Sequence, residues 1–198
     1  MYGKRKSIRL DGYDYSQEGL YFVTIDLESK KNLTWKDDFN FELNEIGKLM
    51  ERCWLDLEKR FNVELDEYIV MPNHFHGIIK ILENNKIGNT NNRAATRAAR
   101  RQKINILNSN VGAGFMPAQN TNMMPAQDIN NISNQNNLGN IIGIFKSIFV
   151  WEYIKNIKTK NWPRFFKRLW QRDYYERIIR NEAEYLRIKQ YIIDNPKK

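Results

Sequence analysis

Hydrophobic positions follow two periods along the chain, and the switches between them mark most of its elements. GLYFVTIDL, residues 19–27, is β-branched and aromatic with partial alternation and lies between Gly19 and an SKKN turn, which predicts a strand. FNFEL, 39–43, alternates too and is expected to pair with the segment just before it. From Asn44 the period lengthens. NEIGKLMERCWLDLEKRF sets Ile46, Leu49, Met50, Cys53, Trp54, Leu57 and Phe61 three and four apart, predicting an amphipathic helix with Asn44 as N-cap. VELDEYIVMPNHFHGIIKIL, 63–82, is two extended runs punctuated by Pro72 and Asn73, a strand-turn-strand or a strand with a bulge.

Residues 84–137 differ in kind. They hold fifteen asparagines, a near-repeat (FMPAQN at 115–120, MMPAQD at 123–128) and the basic stretch RAATRAARRQK at 93–103. Such a composition buries too little apolar surface to offset its ordering entropy, so a flexible insertion is expected inside one domain spanning 1–198. Helical spacing returns in LGNIIGIFKSIFVWEYIKN, 138–156, through Ile141, Ile142, Phe145, Ile148, Phe149 and Tyr153. RFFKRLWQRDYYERII, 164–179, fits neither period well, with a short strand placed near Leu169–Gln171. NEAEYLRIKQYIIDNP, 181–196, reads as a helix capped by Asn181, with Glu182 and Glu184 in its first turn and Pro196 as its stop.

At 41% hydrophobic and 13% aromatic residues the chain can build a core. A single cysteine, Cys53, excludes a disulfide framework and a cysteine-rich zinc site, and suggests a reduced, intracellular setting. No apolar run reaches membrane-spanning length and the first residues are polar, so neither a membrane span nor a secretory signal is expected. The formal charge of +9 is uneven: −4 over residues 1–83, +5 over 84–137 and +8 over 138–198. A basic C-terminal third interleaved with Trp151, Tyr153, Trp162, Phe165, Phe166, Trp170, Tyr174 and Tyr175 suits a surface that contacts phosphates and stacks bases. Amphipathic helices with solvated cationic faces would have the same composition. The cations expected to meet DNA are Arg93, Arg97, Arg100 and Arg101 in the insertion and Lys146, Arg164, Lys167, Arg168 and Arg172 after it.

The only two histidines, His74 and His76, lie two apart on an extended run and therefore share a face, with Phe75 turned to the other. Two imidazoles side by side can clamp a divalent ion, and an open site of this kind holds magnesium or manganese when phosphate oxygens complete the shell. Two histidines with unrelated partners would show the same spacing. Tyr191 and Asn195, spaced i to i+4, lie one turn apart on the last helix and join a phenol to an amide oxygen. Alternatively, Tyr191 packs with Leu186 and Ile188 while Asn195 ends the helix before proline.

Taken together and in order, MPNHFHG after an apolar strand, a helix with Phe145-Lys146, LWQRDYYERIIRNEAE and YIIDNP resemble the single-tyrosine transposases of the HUH superfamily. The resemblance is closest to the REP-associated tyrosine transposases and covers roughly residues 10–83 and 138–198. It implies an α+β fold, an antiparallel sheet of ferredoxin-like or RRM-like type with helices packed on it. It implies His74 and His76 as metal ligands, Asn195 as a third, and Tyr191 as nucleophile, ahead of the rival pair Tyr174 and Tyr175. The implied activity is magnesium- or manganese-dependent cleavage and rejoining of single-stranded DNA beside a hairpin, through a 5′-phosphotyrosine link, in the cytoplasm at the bacterial nucleoid. Such transposases work as monomers or homodimers, and the residues here favour neither. A catalytically inactive nucleic-acid-binding domain derived from such a transposase is the alternative, suggested by the insertion and by an end two residues after Asn195-Pro196. An RNA-binding domain lacks the aromatic motif that would support it.

Overall fold

The computed structural model describes residues 10, 12–29, 31–37, 41–83 and 136–197. Its elements run β1 (Gly19–Asp26), α1 (Glu45–Leu55), α2 (Leu57–Arg60), β2 (Val63–Val70), β3 (His74–Ile81), α3 (Leu138–Lys160), β4 (Tyr175–Ile179) and α4 (Glu182–Asp194), closing on a 3-10 turn, Asn195–Lys197. The four strands form one antiparallel sheet in the order β2-β3-β1-β4. A β-α-β-β-α-β chain with that order is the ferredoxin-like arrangement, so the α+β fold expected from the sequence is the fold observed. Among the described residues no helix is long and apolar enough to cross a membrane.

The helix starts follow from their caps. The Asn44 side chain accepts from the amides of Ile46 and Gly47, Asn137 from Asn140, and Asn181 from Glu184, each satisfying N–H groups that a first turn leaves open. The helical period read from Asn44 to Phe61 is interrupted at Asp56, so one expected helix is two in succession. The helix read over 138–156 extends to Lys160, where Asn161 adopts the left-handed conformation, φ +54°, that commonly ends helices. Trp35 bridges Leu43 as expected for 39–43, of which residues 39 and 40 lie outside the described residues. Near 169–171 there is only an isolated bridge, Leu27 to Trp170; the strand of this region is β4, further along.

The two faces of the sheet have different covers. Tyr21, Val23, Ile25, Phe75, Ile79 and Ile81 join Leu49, Trp54, Ile141, Phe145 and Phe149 in the main core beneath α1 and α3. Gly77 belongs to this side: a Cβ there would stand 2.7 Å from the buried Trp54 ring, so only glycine lets the indole lie against the strand. Alternate residues point to the opposite face, where Ile78 and Ile179 pack against Ile188 and Ile192 of α4, with Leu20, Phe22, Ile69 and Tyr185 around them. Register then fixes the neighbours on that face: Phe22 opposite Ile78, Thr24 opposite His76 and Asp26 opposite His74. Both central strands thus grade from apolar to polar toward the end that carries the histidines.

Candidate active site

His74 and His76 share the α4 face of β3, as their spacing predicts. Their Nε2 atoms are 3.1 Å apart and their rings meet edge to face. The other nitrogen of each ring is engaged: His74 Nδ1 lies 2.7 Å from the amide oxygen of Asn73, and His76 Nδ1 lies 2.8 Å from the Thr24 hydroxyl. Partners on Nδ1 leave the two Nε2 atoms facing each other, and an Nδ1 partner is how metal-bound imidazoles are usually oriented. His76 is 5% exposed. Burial, and then the charge of His74, push its pKa down to about 3; burial also lowers that of His74, against the pull of the Asp26 carboxylate. Both rings are therefore neutral at neutral pH, the form in which imidazole binds a cation.

The residues fit a divalent ion. Two nitrogens bound to one ion at about 2.1 Å and about 90° apart stand about 3.0 Å from each other, close to the 3.1 Å observed. Among the described residues no three His, Cys, Asp or Glu side chains gather as a metal cluster. An ion on the two histidines would thus draw its remaining ligands from other groups, such as the oxygens of a bound phosphate, the open coordination that magnesium and manganese favour.

Helix α4 brings Tyr191 to this pair. The Tyr191 ring centroid lies 5.4 Å from that of His76 and 6.2 Å from that of Phe22, while Phe22 stacks on His76 at 5.4 Å. Tyr191 is 39% exposed, so its ring rests on the site while reaching solvent. It packs with Phe22 and His76, while Leu186, the first of the two packing partners considered from the sequence, stands exposed and Ile188 is buried in the apolar cluster beneath α4. Asn195, 9% exposed, follows one turn later at the start of the 3-10 turn.

Polar ties reinforce the apolar seat of α4. The Tyr185 hydroxyl donates to Asp66, and the Lys189 ammonium lies 3.1 Å from the same carboxylate and 3.9 Å from Glu67. Asp66 and Glu67 fall at the irregularity in β2 between Leu65 and Tyr68, where a bulge redirects side chains. On the opposite edge Glu184 accepts from Arg177 Nε of β4 at 2.6 Å and from the Arg180 amide. Tyr191 lies two residues beyond Lys189 and inherits this alignment.

The remaining expected contacts are placed unequally. Arg93, Arg97, Arg100 and Arg101 lie outside the described residues. Arg164, Lys167, Arg168 and Arg172 are exposed, Arg168 with its Nε 3.4 Å from Glu28. Lys146 is half-buried: its ammonium donates to the carbonyls of Gln171 and Asp173, and burial lowers its pKa to about 8. It ties down the segment that carries the exposed cations. Tyr175 stands exposed on the site face opposite Thr24, and Tyr174 lies beneath Lys146. Thr24, Phe22, Asn73 and Asp26 are site residues that sequence reasoning missed. The alternation of Phe22, Thr24 and Asp26 in β1 was a signal for a shared face, but only the β1–β3 register says which residues they meet.

This fold is shared with tyrosine transposases. A solved structure of a REP-associated tyrosine transposase bound to a REP hairpin superposes with a TM-score of 0.52 at 14% identity, over 97% of this chain and 73% of that one. No protein-family model matches the chain. An uncharacterised protein of Haemophilus influenzae is 34% identical over 194 residues, 97% of this chain and 88% of that protein. The chain belongs to the family of that Haemophilus protein.

Proposed function

We propose that this protein is a metal-dependent transposase-type enzyme that cuts and rejoins single-stranded DNA, with Tyr191 as nucleophile. The observation that carries the reading is the contact of Tyr191 with His76, whose Nε2 lies 3.1 Å from that of His74. The transposase fold, and the hairpin held by the solved neighbour, support DNA beside a hairpin as substrate.

His74 and His76, with Asn195 as a third ligand, would hold magnesium or manganese. Such an ion, when bound, stabilises negative charge on the non-bridging oxygens of a phosphodiester. The rest falls to the chain. Phe22 and His76 lie together against one side of the Tyr191 ring and hold it at the histidine end of the sheet, with the other side open to substrate. Phenols titrate near 10, and a tyrosine attacks phosphorus slowly unless it is positioned and the phosphate polarised. Attack forms a bond from the phenol oxygen to phosphorus, breaks the bond to the 3′ oxygen, and leaves a 5′-phosphotyrosine and a free 3′-hydroxyl. A 3′-hydroxyl attacking that link reverses the exchange and rejoins strands without an external energy source. The work is that of a cytoplasmic protein at the nucleoid.

Incubation with end-labelled single-stranded DNA and manganese should give a covalent adduct that resists denaturant, is lost with chelator, and is lost in His74→Ala and His76→Ala. Salt-sensitive binding with no adduct under any metal condition would instead mark a DNA-binding domain without the activity.

A further inference from the structure

We infer that Phe166 is a stacking platform for an unpaired DNA base, set in a cationic loop beside the site. Two adjacent phenylalanines are treated oppositely. Phe165 packs 5.8 Å from the Tyr153 ring, whereas Phe166 is 82% exposed. A single exposed apolar side chain is ordinary; the backbone that presents this one is not. Lys167 has φ +63°, and the Arg168 amide donates to the Phe166 carbonyl at 2.7 Å, the positive-φ form of the three-residue γ-turn, which is rare and strained. Strain of this kind persists where the surroundings over-determine it. Here they do so from both sides. Tyr153 donates to the Pro163 carbonyl at 2.9 Å, Leu169 and Trp170 are buried, and the Glu28 amide donates to the Leu169 carbonyl at 2.8 Å.

The surroundings select the ligand. Arg164, Lys167 and Arg172 are exposed cations of the same segment, and the Lys167 ammonium lies 5.3 Å from the centre of the Phe166 ring. Glu28 engages Arg168, and Asp173 is the exposed acid of the loop. An apolar ring among cations offers too little contiguous apolar surface for a protein partner, but matches a nucleobase with its flanking phosphates. The loop also meets the sheet one strand away from the histidines. The Gln171 amide donates to the carbonyl of Asp26 at 2.9 Å, and Asp26 pairs with His74 in the sheet. A strand stacked on Phe166 would lead to or from that end of the sheet. The direction of travel rests on the function proposed above; the stacking does not.

The test is equilibrium binding of the full chain to a short unstructured single strand, read by fluorescence anisotropy in EDTA. Phe166→Ala should weaken binding about tenfold, with Phe166→Trp retaining it and blunt duplex affected less than about twofold. Binding by Phe166→Ala within about twofold of wild type, or by Phe166→Leu as tightly as wild type, would overturn the proposal. Chelator keeps strand cleavage out of the readout, so this result and the fate of the covalent adduct are separate.

Discussion

His76 is held from three directions, by Thr24 at Nδ1, by His74 at Nε2 and by Phe22 flat against its ring. Removing the first support without changing shape should loosen the ligand and spare the fold. Thr24→Val is expected to lower manganese affinity by about 10- to 100-fold, measured by calorimetry, with an unchanged melting curve. Gly77 makes the converse case: Gly77→Ala should cost roughly 1–3 kcal/mol in urea unfolding, because the added methyl meets the buried Trp54 ring. Cys53, on the core side of α1, has its thiol pushed up to about 12 by burial. At pH 8 it should resist alkylation in the folded protein and react once denatured. The raised value means that its share of stability is present below the ordinary thiol pKa and lost as pH climbs above it. At this scale the sequence shows that His74 and His76 share a face, since strand period alone decides that. It is silent on Thr24 and Phe22, fifty or more residues earlier, because their proximity is a product of register.

The decisive element is α4. Its cap, its acidic first turn and the i to i+4 pair Tyr191 and Asn195 are legible as local chemistry. Its seat on the sheet is not, for that depends on β4, whose five residues YERII are too short and lack the apolar–polar alternation that would mark them off from the aromatic, basic segment before them. The helical period through Leu57 and Phe61 likewise hides the interruption at Asp56, since α2 continues the same apolar side. The ties from Tyr185 and Lys189 to Asp66 hold α4 to the bulged strand. Asp66→Ala should therefore raise hydrogen-exchange rates in α4 while leaving α1 protected, and slow adduct formation without altering the labelled residue. Uniform exchange across both helices would assign Asp66 to global stability alone.

Across the whole molecule, the asparagine-rich stretch interrupts the chain between β3 and α3 at a single place. The Leu82 amide donates to the Asn62 carbonyl at 3.0 Å, and the Asn136 side chain donates to the same carbonyl at 3.2 Å. Both flanks of the interruption thus meet at Asn62. Replacing 84–135 by a short glycine-serine linker should leave thermal unfolding cooperative and shift stability by no more than about 1 kcal/mol, since loop closure depends weakly on length. The composition marks this stretch as separate from the core, but the meeting of its flanks needs the fold.

The central claim is that Tyr191 is the nucleophile. Mass spectrometry of the trapped protein–DNA adduct tests it directly. The account predicts that the phosphodiester link maps to the peptide carrying Tyr191 and that Tyr191→Phe yields no adduct. A link on Tyr174 or Tyr175, or an undiminished adduct from Tyr191→Phe, would contradict it.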